Sequence, residues 1–306
     1  MDFRSFTSLI LNFFFSVKIY KIIQIFELIK PGIILGNIVS LSGGFFLASR
    51  SKLLKILFLK TILGIICIIA SSCIFNNIID RQLDKKMNRT KNRILCIHSN
   101  FKLLVFSFLL AFFLCFLGLY IYIKYISFLC TLISMVGIFF YVILYSVWLK
   151  KKSCYSICIG SVSGSLPPII GYVAVSNKID GCCVILFFIF VFWQIAHAYS
   201  ILLYRYKDYQ DANIPTIPTI YGFKYTKTCI SVCIMNMFLL NLLLYYFNYV
   251  YVFSCFYINI CVFFWFLFSI INENYFISYK KWSRIMFFLS VFVIFFTSVI
   301  LSLNFF

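Results

Sequence analysis

Long apolar runs recur along the whole chain, and they constrain its fold more than any other feature. Nine segments of roughly 18 to 24 residues are each long enough to cross a hydrocarbon core of about 30 Å as a helix. The segments lie at 32–49, 56–79, 103–123, 126–148, 155–176, 182–203, 228–247, 249–271 and 285–306. Only 11% of the residues are charged, far fewer than a soluble domain needs for a wetted surface. We therefore predict one all-α integral membrane domain over residues 1–306, with about nine transmembrane helices.

The basic residues are concentrated in alternate loops between these runs. The formal net charge is +19, and 21 of the 27 Lys and Arg residues fall on one side of the membrane if the N-terminus lies inside. Because cytoplasmic loops carry the excess of Lys and Arg, we expect residues 1–30 to be a cytoplasmic segment and the C-terminus to lie on the far side. Membrane topology then explains the basic charge without nucleic acid as a partner. Residues 1–30 also lack a cleavage pattern, so we expect no removed signal peptide.

Four of the eight acidic residues lie at two cytoplasmic junctions, and the first junction follows the second run. Asn76, Asp80 and Asp84 stand at i, i+4 and i+8, so on a helix they share one face. Two carboxylates and an amide suit a hard cation such as Mg²⁺, whose remaining positions a phosphorylated substrate would fill. The alternative is a solvated helix end, where the carboxylates only pair with neighbouring basic residues such as Arg81 and Lys85.

Three cations follow this acidic face at Arg89, Lys91 and Arg93. Cations beside carboxylates suit a metal-bound diphosphate, because the metal bridges the acids to the diphosphate while Arg and Lys neutralise its remaining charge. The same basic residues would also be expected in this loop from membrane topology alone.

The second junction follows the sixth run and again mixes acid with base. Asp208 and Asp211 share a face at i, i+3, and Arg205 with Lys207 are placed to hold the same diphosphate from the opposite wall. Before this junction, His197 is a polar residue within a span. Such residues are functional candidates, although an interhelical hydrogen bond is an equally good explanation.

The two charged loops, 80–102 and 204–227, are separated by four spans. This spacing suggests a pseudo-repeat that brings two equivalent loops together over a central cavity. Pro215 and Pro218, in the second loop, are expected to end the helix that precedes them.

Three stretches resemble the UbiA superfamily of intramembrane prenyltransferases: NNIIDRQLDKKMNRTKNR (76–93), YSVWLKKKSCYSICIGSVSGSLPPIIGY (145–172) and WQIAHAYSILLYRYKDYQDANIPTIPTIYG (193–222). Within them RTKNR, SGSLPPIIGY and KDYQxANIP resemble the bacterial branch that attaches a farnesyl group to protoheme IX, the heme O synthases. The similarity extends from Lys30-Pro31-Gly32 to about Gly222, and the last three spans match in pattern only.

The resemblance implies a UbiA-type fold of nine helices around a central cavity in the bacterial inner membrane. Farnesyl diphosphate with Mg²⁺ would bind at the cytoplasmic mouth, and heme B would be the acceptor. The product heme O would pass to the assembly of heme-using oxidases. On this mapping the catalytic acids are Asp80, Asp84 and Asp208.

The same mapping gives each candidate a role. The metal ligands would be Asn76, Asp80, Asp84 and Asp208. Asp211 is a weaker metal candidate, because the heme branch does not lead us to expect an acid there. The diphosphate would be held by Arg89, Lys91, Arg93, Arg205 and Lys207. No heme ligand follows from the resemblance, and His197 is a candidate only through its polarity and position.

The sequence leaves two alternative functions. Another UbiA-type transferase would act on a quinone precursor or a chlorophyll-like acceptor. An ion-coupled transporter would place its charges deep in the spans, whereas the acids here lie at one membrane face.

Overall fold

Helices make up nearly all of the computed structural model, which describes residues 26–50, 52, 54–97, 100–271 and 278–303. Within those residues, nine helices are long and apolar enough to cross a membrane. They are α1 Pro31–Ser49, α2 Lys55–Asp84, α3 Phe101–Tyr125, α4 Phe128–Leu149, α5 Ser156–Ser176, α6 Gly181–Tyr204, α7 Ile217–Tyr246, α8 Val252–Ile270 and α9 Tyr279–Leu303. The predicted all-α membrane fold is confirmed. Residues 1–25 of the predicted cytoplasmic segment, and 304–306 of the ninth predicted span, lie outside the described residues.

The start of α7 differs from the prediction. The first turns of α7 begin at Ile217 rather than near residue 228, because Thr216 caps them: its hydroxyl accepts from the Thr219 N–H, and the Thr219 hydroxyl accepts from the Thr216 N–H. A kink at Gly222, with φ of 79°, separates these turns from the rest of α7. Pro218 occupies the first turn, where its missing N–H costs nothing. The expectation that Pro218 ends the preceding helix was therefore wrong, since it opens the next one.

Two helices depart from regular α geometry at points that matter for the site. α5 consists of two segments that meet at Ser165, with Pro167 in the first turn of the second segment. α4 becomes a π-helix over Phe139–Leu149. A π-helix has more residues per turn, and it sets Ser146 and Lys150 on the side of α4 that faces α2.

Two pairs of consecutive helices pack along each other. α2 packs along α3, and four spans later α6 packs along α7. Between these pairs, α1 lies against the second segment of α5, and α9 contacts both α1 and α6. The α1–α5 contact is close enough that a Cβ built on Gly44 would lie 1.9 Å from the Pro168 carbonyl oxygen, and one on Gly171 would lie 2.1 Å from the Leu41 carbonyl oxygen.

The loops after α2 and α6 meet, as the spacing of the two junctions predicts. Met87 of the first loop forms a buried apolar cluster with Ala212 and Ile214 of the second, and Leu83 and Tyr209 pack against it. This contact places the two groups of acidic and basic residues on the same side of the protein.

Replacing Gly44 or Gly171 by Ala should loosen the fold, because the new methyl group must push α1 and α5 apart. We expect the free energy of unfolding to fall by about 1–3 kcal/mol in each variant. Gly36→Ala on the same helix is the matched control, since its Cβ would have nothing within 4 Å. SDS-induced unfolding in mixed micelles measures all three, and equal stability of G44A and G36A would contradict the packing described.

Candidate active site

The acidic face predicted on α2 exists and is buried. Asn76, Asp80 and Asp84 are 5%, 1% and 5% exposed, and the helix continues to Asp84 without a break. The Asn76 side chain donates to Asp80 Oδ2 at 2.7 Å, which ties the first two positions together. The Thr90 hydroxyl donates to the Asp84 carbonyl at 3.0 Å and closes the helix end. The solvated helix end considered from the sequence is therefore excluded.

Asp80 is paired with a cation from another helix. Lys150, which directly follows α4, donates to Asp80 Oδ2, and Ser146 accepts from Asn76 at 3.0 Å. Burial alone would lower the pKa of Lys150, but Tyr145 and Asp80 beside it raise that pKa above its usual value. The other carboxylate oxygen, Asp80 Oδ1, is buried and has no hydrogen-bond partner among the described residues. One lone-pair direction of this carboxylate is thus left for a further cation.

Asp84 is paired with a cation from its own loop. Arg93 Nη1 lies 2.6 Å from Asp84 Oδ2 and 3.2 Å from Asn77 Oδ1. The loop brings Arg93 back because the following turn, Ile94–Ile97, buries Ile94 and Leu95 in an apolar cluster with Ile74 of α2. Arg93 is therefore the one predicted phosphate-binding cation that contacts an acid of this face within the described structure.

A third cation reaches the site from the start of α1. Lys30 Nζ donates to Asn76 Oδ1 at 2.6 Å, and its left-handed backbone, with φ of 53°, turns the chain into Pro31. Burial lowers the pKa of Lys30 to about 8. Sequence reasoning did not select Lys30, Asn77 or Lys150 as site residues. The available signal was position: Lys30 directly precedes the first span, and Lys150 lies within the stretch 145–172 that carries the family resemblance.

The remaining predicted cations and acids are more open. Arg89, Lys91, Lys207 and Asp211 are exposed, and Asp208 and Arg205 are partly buried. Lys91 contacts Asn88, and the Arg205 guanidinium lies 4.5 Å from the centre of the Tyr204 ring. Neither Asp208 nor Asp211 forms an ion pair within the described ranges. The second junction therefore faces the first without touching its carboxylates.

His197 lies on α6 and contacts α9 rather than the acidic face. Its Nδ1 is 2.7 Å from the Ser290 hydroxyl, and its ring stacks on Trp193 at 5.0 Å. The interhelical hydrogen bond considered from the sequence is thus present.

The donors of this site fit a hard cation. No group of three or more His, Cys, Asp or Glu side chains suited to a metal occurs in the described ranges, so a purely protein-made cage is absent there. The acidic face instead offers carboxylate and amide oxygens, with Asp80 Oδ1 buried and unsatisfied. Proteins commonly bind Mg²⁺ through one or two carboxylates, with water or phosphate oxygens completing its coordination shell.

Comparison with known proteins decides the family. The sequence model of the UbiA prenyltransferase family matches residues 37–301. The chain belongs to this family. As a UbiA prenyltransferase, it is 58% identical to the protoheme IX farnesyltransferase of Buchnera aphidicola subsp. Cinara cedri over 277 residues, which cover 90% of this chain and 99% of the relative. It is also 41% identical to the protoheme IX farnesyltransferase of Blochmanniella floridana, over 91% and 96% of the two chains.

Solved structures share the fold of this UbiA prenyltransferase at low sequence identity. A structure of digeranylgeranylglyceryl phosphate synthase has a TM-score of 0.75 at 17% identity, covering 93% of this chain and 98% of the other. A UbiA homolog from Archaeoglobus fulgidus, bound to DMAPP and Mg²⁺, has a TM-score of 0.62 at 13% identity, covering 88% and 98%. The predicted UbiA-type fold is confirmed.

Removal of the Lys150 charge should destabilise the enzyme and make its stability depend on Mg²⁺. Lys150→Gln leaves a buried carboxylate without its cation, which costs about 3–5 kcal/mol when one partner of a buried pair is lost. Because a metal ion supplies the missing charge, added Mg²⁺ should raise the melting temperature of K150Q more than that of the wild type.

The matched control for this change is Lys178→Gln. Its ammonium pairs with Asp180 at 3.5 Å, and the Lys178 side chain is 68% exposed. An exposed pair contributes about 0–1 kcal/mol, so K178Q should melt close to the wild type with or without Mg²⁺. Equal melting of K150Q and K178Q would show that the Lys150 pair does not stabilise the site.

Proposed function

We propose that this enzyme transfers the farnesyl group of farnesyl diphosphate to a vinyl group of heme B, with hydration, and so makes heme O. The observation that carries the proposal is the buried acidic face of α2, with three cations packed on it, in a chain 58% identical to a protoheme IX farnesyltransferase. A buried carboxylate pair with adjacent cations is suited to a metal diphosphate, because the carboxylates would bind the metal and the cations would bind the diphosphate.

We place the diphosphate between the two charged loops. Asn76, Asp80 and Asp84 would hold Mg²⁺ from one side, with Asp208 across from them and Asp211 in a minor role. Bound Mg²⁺ neutralises the charge that develops on the departing diphosphate. Lys30, Lys150 and Arg93 lie within reach of its oxygens, and the more exposed cations complete the shell. Those cations are Arg89, Lys91, Arg205 and Lys207.

The reaction that follows needs charge stabilisation more than proton transfer. The bond between C1 of the farnesyl chain and the diphosphate oxygen breaks, and both electrons leave with the diphosphate. The π electrons of a heme vinyl group form the new carbon–carbon bond with the allylic cation. Water adds to the cation left on the porphyrin side and loses a proton. Lys150 and Arg93, released from Asp80 and Asp84, would stay on the diphosphate and prevent its return.

The surroundings of Asp80 favour a short-lived cation. Tyr141 and Tyr145 lie in the π-helical part of α4, which ends directly before Lys150. Their rings stack on each other, with ring centres 5.9 Å apart. Aromatic faces stabilise positive charge and exclude water.

We further propose that the enzyme lies in the bacterial inner membrane with its N-terminus in the cytoplasm and its C-terminus on the far side. Its product would supply the assembly of heme-using oxidases. The arrangement of basic loops supports this orientation.

An acceptor other than heme is the main alternative within the family, for example a quinone precursor or a chlorophyll-like molecule. Product analysis separates these functions. Expression in cells that lack their own heme O synthase, followed by heme extraction and mass analysis, should reveal a hydroxyethylfarnesyl heme. No new heme, together with prenylation of 4-hydroxybenzoate by the same membranes, would contradict the proposal. An ion-coupled transporter is disfavoured because the described acids lie at membrane faces, and such a protein would release no diphosphate.

Asp80→Asn and Asp84→Asn should each lower kcat/KM by at least about 100-fold, because each removes a carboxylate that would hold the Mg²⁺ needed to neutralise the charge developing on the diphosphate. Asp180→Asn, at the opposite end of α6, makes the same chemical change outside the site and should leave turnover unchanged. Diphosphate release from purified membranes measures all three. Wild-type rates in D80N and D84N would refute the proposed metal site.

Asp208 and Asp211, the two acids of the second junction, should differ in their effect on the Mg²⁺ requirement of the enzyme. Asp208 is partly buried and Asp211 is exposed. We expect Asp208→Asn to raise the Mg²⁺ concentration needed for half-maximal activity by about tenfold or more, and Asp211→Asn to change it less than about twofold. A Mg²⁺ titration of diphosphate release checks this, and a larger effect of D211N would reverse the assignment.

A further inference from the structure

Two cations at the start of α9 gather on an aromatic ring at the end of α6. The Lys280 ammonium and the Arg284 guanidinium each lie 6.0 Å from the centre of the Tyr204 ring. Arg205 lies on the same ring at 4.5 Å. None of the three cations pairs with a carboxylate in the described part of the chain.

No carboxylate among the described residues pairs with these three cations to offset their like charge. Cations in the first turns of a helix are disfavoured by the helix dipole, and three cations around one ring also repel one another. The preference for basic cytoplasmic loops explains why cations lie on this side of the membrane, but not why they converge on Tyr204. An anion between them would offset the repulsion.

An aromatic surface continues from this cluster into the membrane along the contact between α6 and α9. His197 precedes Tyr204 by seven residues, which is about 10 Å along the helix axis. The His197 ring stacks on Trp193, with ring centres 5.0 Å apart, and lies 5.2 Å from the Phe287 ring of α9. The Trp193 indole N–H donates to the Ser290 carbonyl at 2.8 Å, which fixes the stack against α9.

The hydrogen bonds around Ser290 determine which nitrogen of His197 carries the proton. The Ser290 hydroxyl has one hydrogen, and it donates this hydrogen to the Phe287 carbonyl at 2.6 Å. Ser290 Oγ must therefore accept from His197 Nδ1–H at 2.7 Å. The lone pair of the neutral ring then lies on Nε2. A histidine that donates through one nitrogen and presents the other lone pair has the arrangement found in metal-ligating histidines.

We propose that the surface between α6 and α9 binds the acceptor, a metalloporphyrin that carries two carboxylates. This proposal rests on the proposed function. His197 Nε2 faces the iron, and Lys280 and Arg284 bind the two propionate carboxylates. The spacing of about 10 Å along α6 between His197 and Tyr204 matches the distance in a porphyrin from its metal to its carboxylates. Arg205, already assigned to the diphosphate, lies between the two anions. The porphyrin and the diphosphate thus bind next to each other.

The test is heme titration of the full-length protein in nanodiscs of phosphatidylcholine, followed by the Soret band. Heme B is compared with its dimethyl ester, in which both propionates are uncharged. We expect K280Q/R284Q to raise the Kd for heme B about tenfold or more and to leave the Kd for the ester unchanged. Lys281→Gln changes the neighbouring exposed cation and should behave as wild type. His197→Gln, which keeps a donor for Ser290, should abolish the imidazole-ligated spectrum. The KM for farnesyl diphosphate should be unchanged in K280Q/R284Q.

Several results would overturn the proposed porphyrin site. Equal weakening for heme B and its ester would mean that the two cations do not bind carboxylates. An effect of K280Q/R284Q that requires phosphatidylglycerol in the nanodisc would mean that they bind lipid headgroups. An unchanged spectrum in H197Q would show that His197 does not bind the iron. If the wild type makes heme O while these variants are unaffected, this site alone fails. If the wild type neither binds nor converts heme, the proposed function fails with it.

Discussion

The pairing of two buried carboxylates with cations from elsewhere in the chain determines how the end of the protein that carries the two charged loops is built. Asp80 and Asp84 lie at the end of α2, where burial of negative charge is costly unless a cation is close. Lys150 supplies that cation from α4 and Arg93 from the following loop. These pairs hold α2, α4 and the loop in one arrangement, and the same groups carry the charge needed to bind a metal diphosphate. Binding can therefore be an exchange of partners, in which little new charge must be buried.

The packing of the helices brings together the two loops between which this exchange of partners would take place. α1 and α5 approach through Gly44 and Gly171, and the α2–α3 and α6–α7 pairs lie on either side of them. The loops after α2 and α6 meet through Met87 and Ile214, so a ligand held by one loop is covered by the other. On the α6 side the charge pattern is reversed, because within the described residues Arg205, Lys280 and Arg284 form no ion pair, whereas α2 has paired acids. That difference explains how one half would bind metal and the other an anionic acceptor.

The sequence predicted the features that follow from local pattern. Apolar length located the nine spans, and i, i+4, i+8 spacing located the buried face of Asn76, Asp80 and Asp84. Features that depend on tertiary contacts were missed. Lys30 and Lys150 are distant in sequence from their partners, and a lysine at a span end also follows from topology alone. The start of α7 was misplaced because the Thr216 cap competes with the usual reading of Pro218 as a terminator. Arg93 and Arg89 are alike in sequence, but only Arg93 is turned inward by the apolar residues that follow it.

We propose that the cations now on Asp80 and Asp84 move to a diphosphate when a metal binds the carboxylates. A cryo-electron microscopy structure of the full chain with Mg²⁺ and a non-hydrolysable farnesyl thiodiphosphate tests this most directly. We expect metal density against Asp80 and Asp84, with Lys150 and Arg93 on the diphosphate oxygens. A diphosphate bound elsewhere, with Lys150 still on Asp80 and Arg93 still on Asp84, would contradict it.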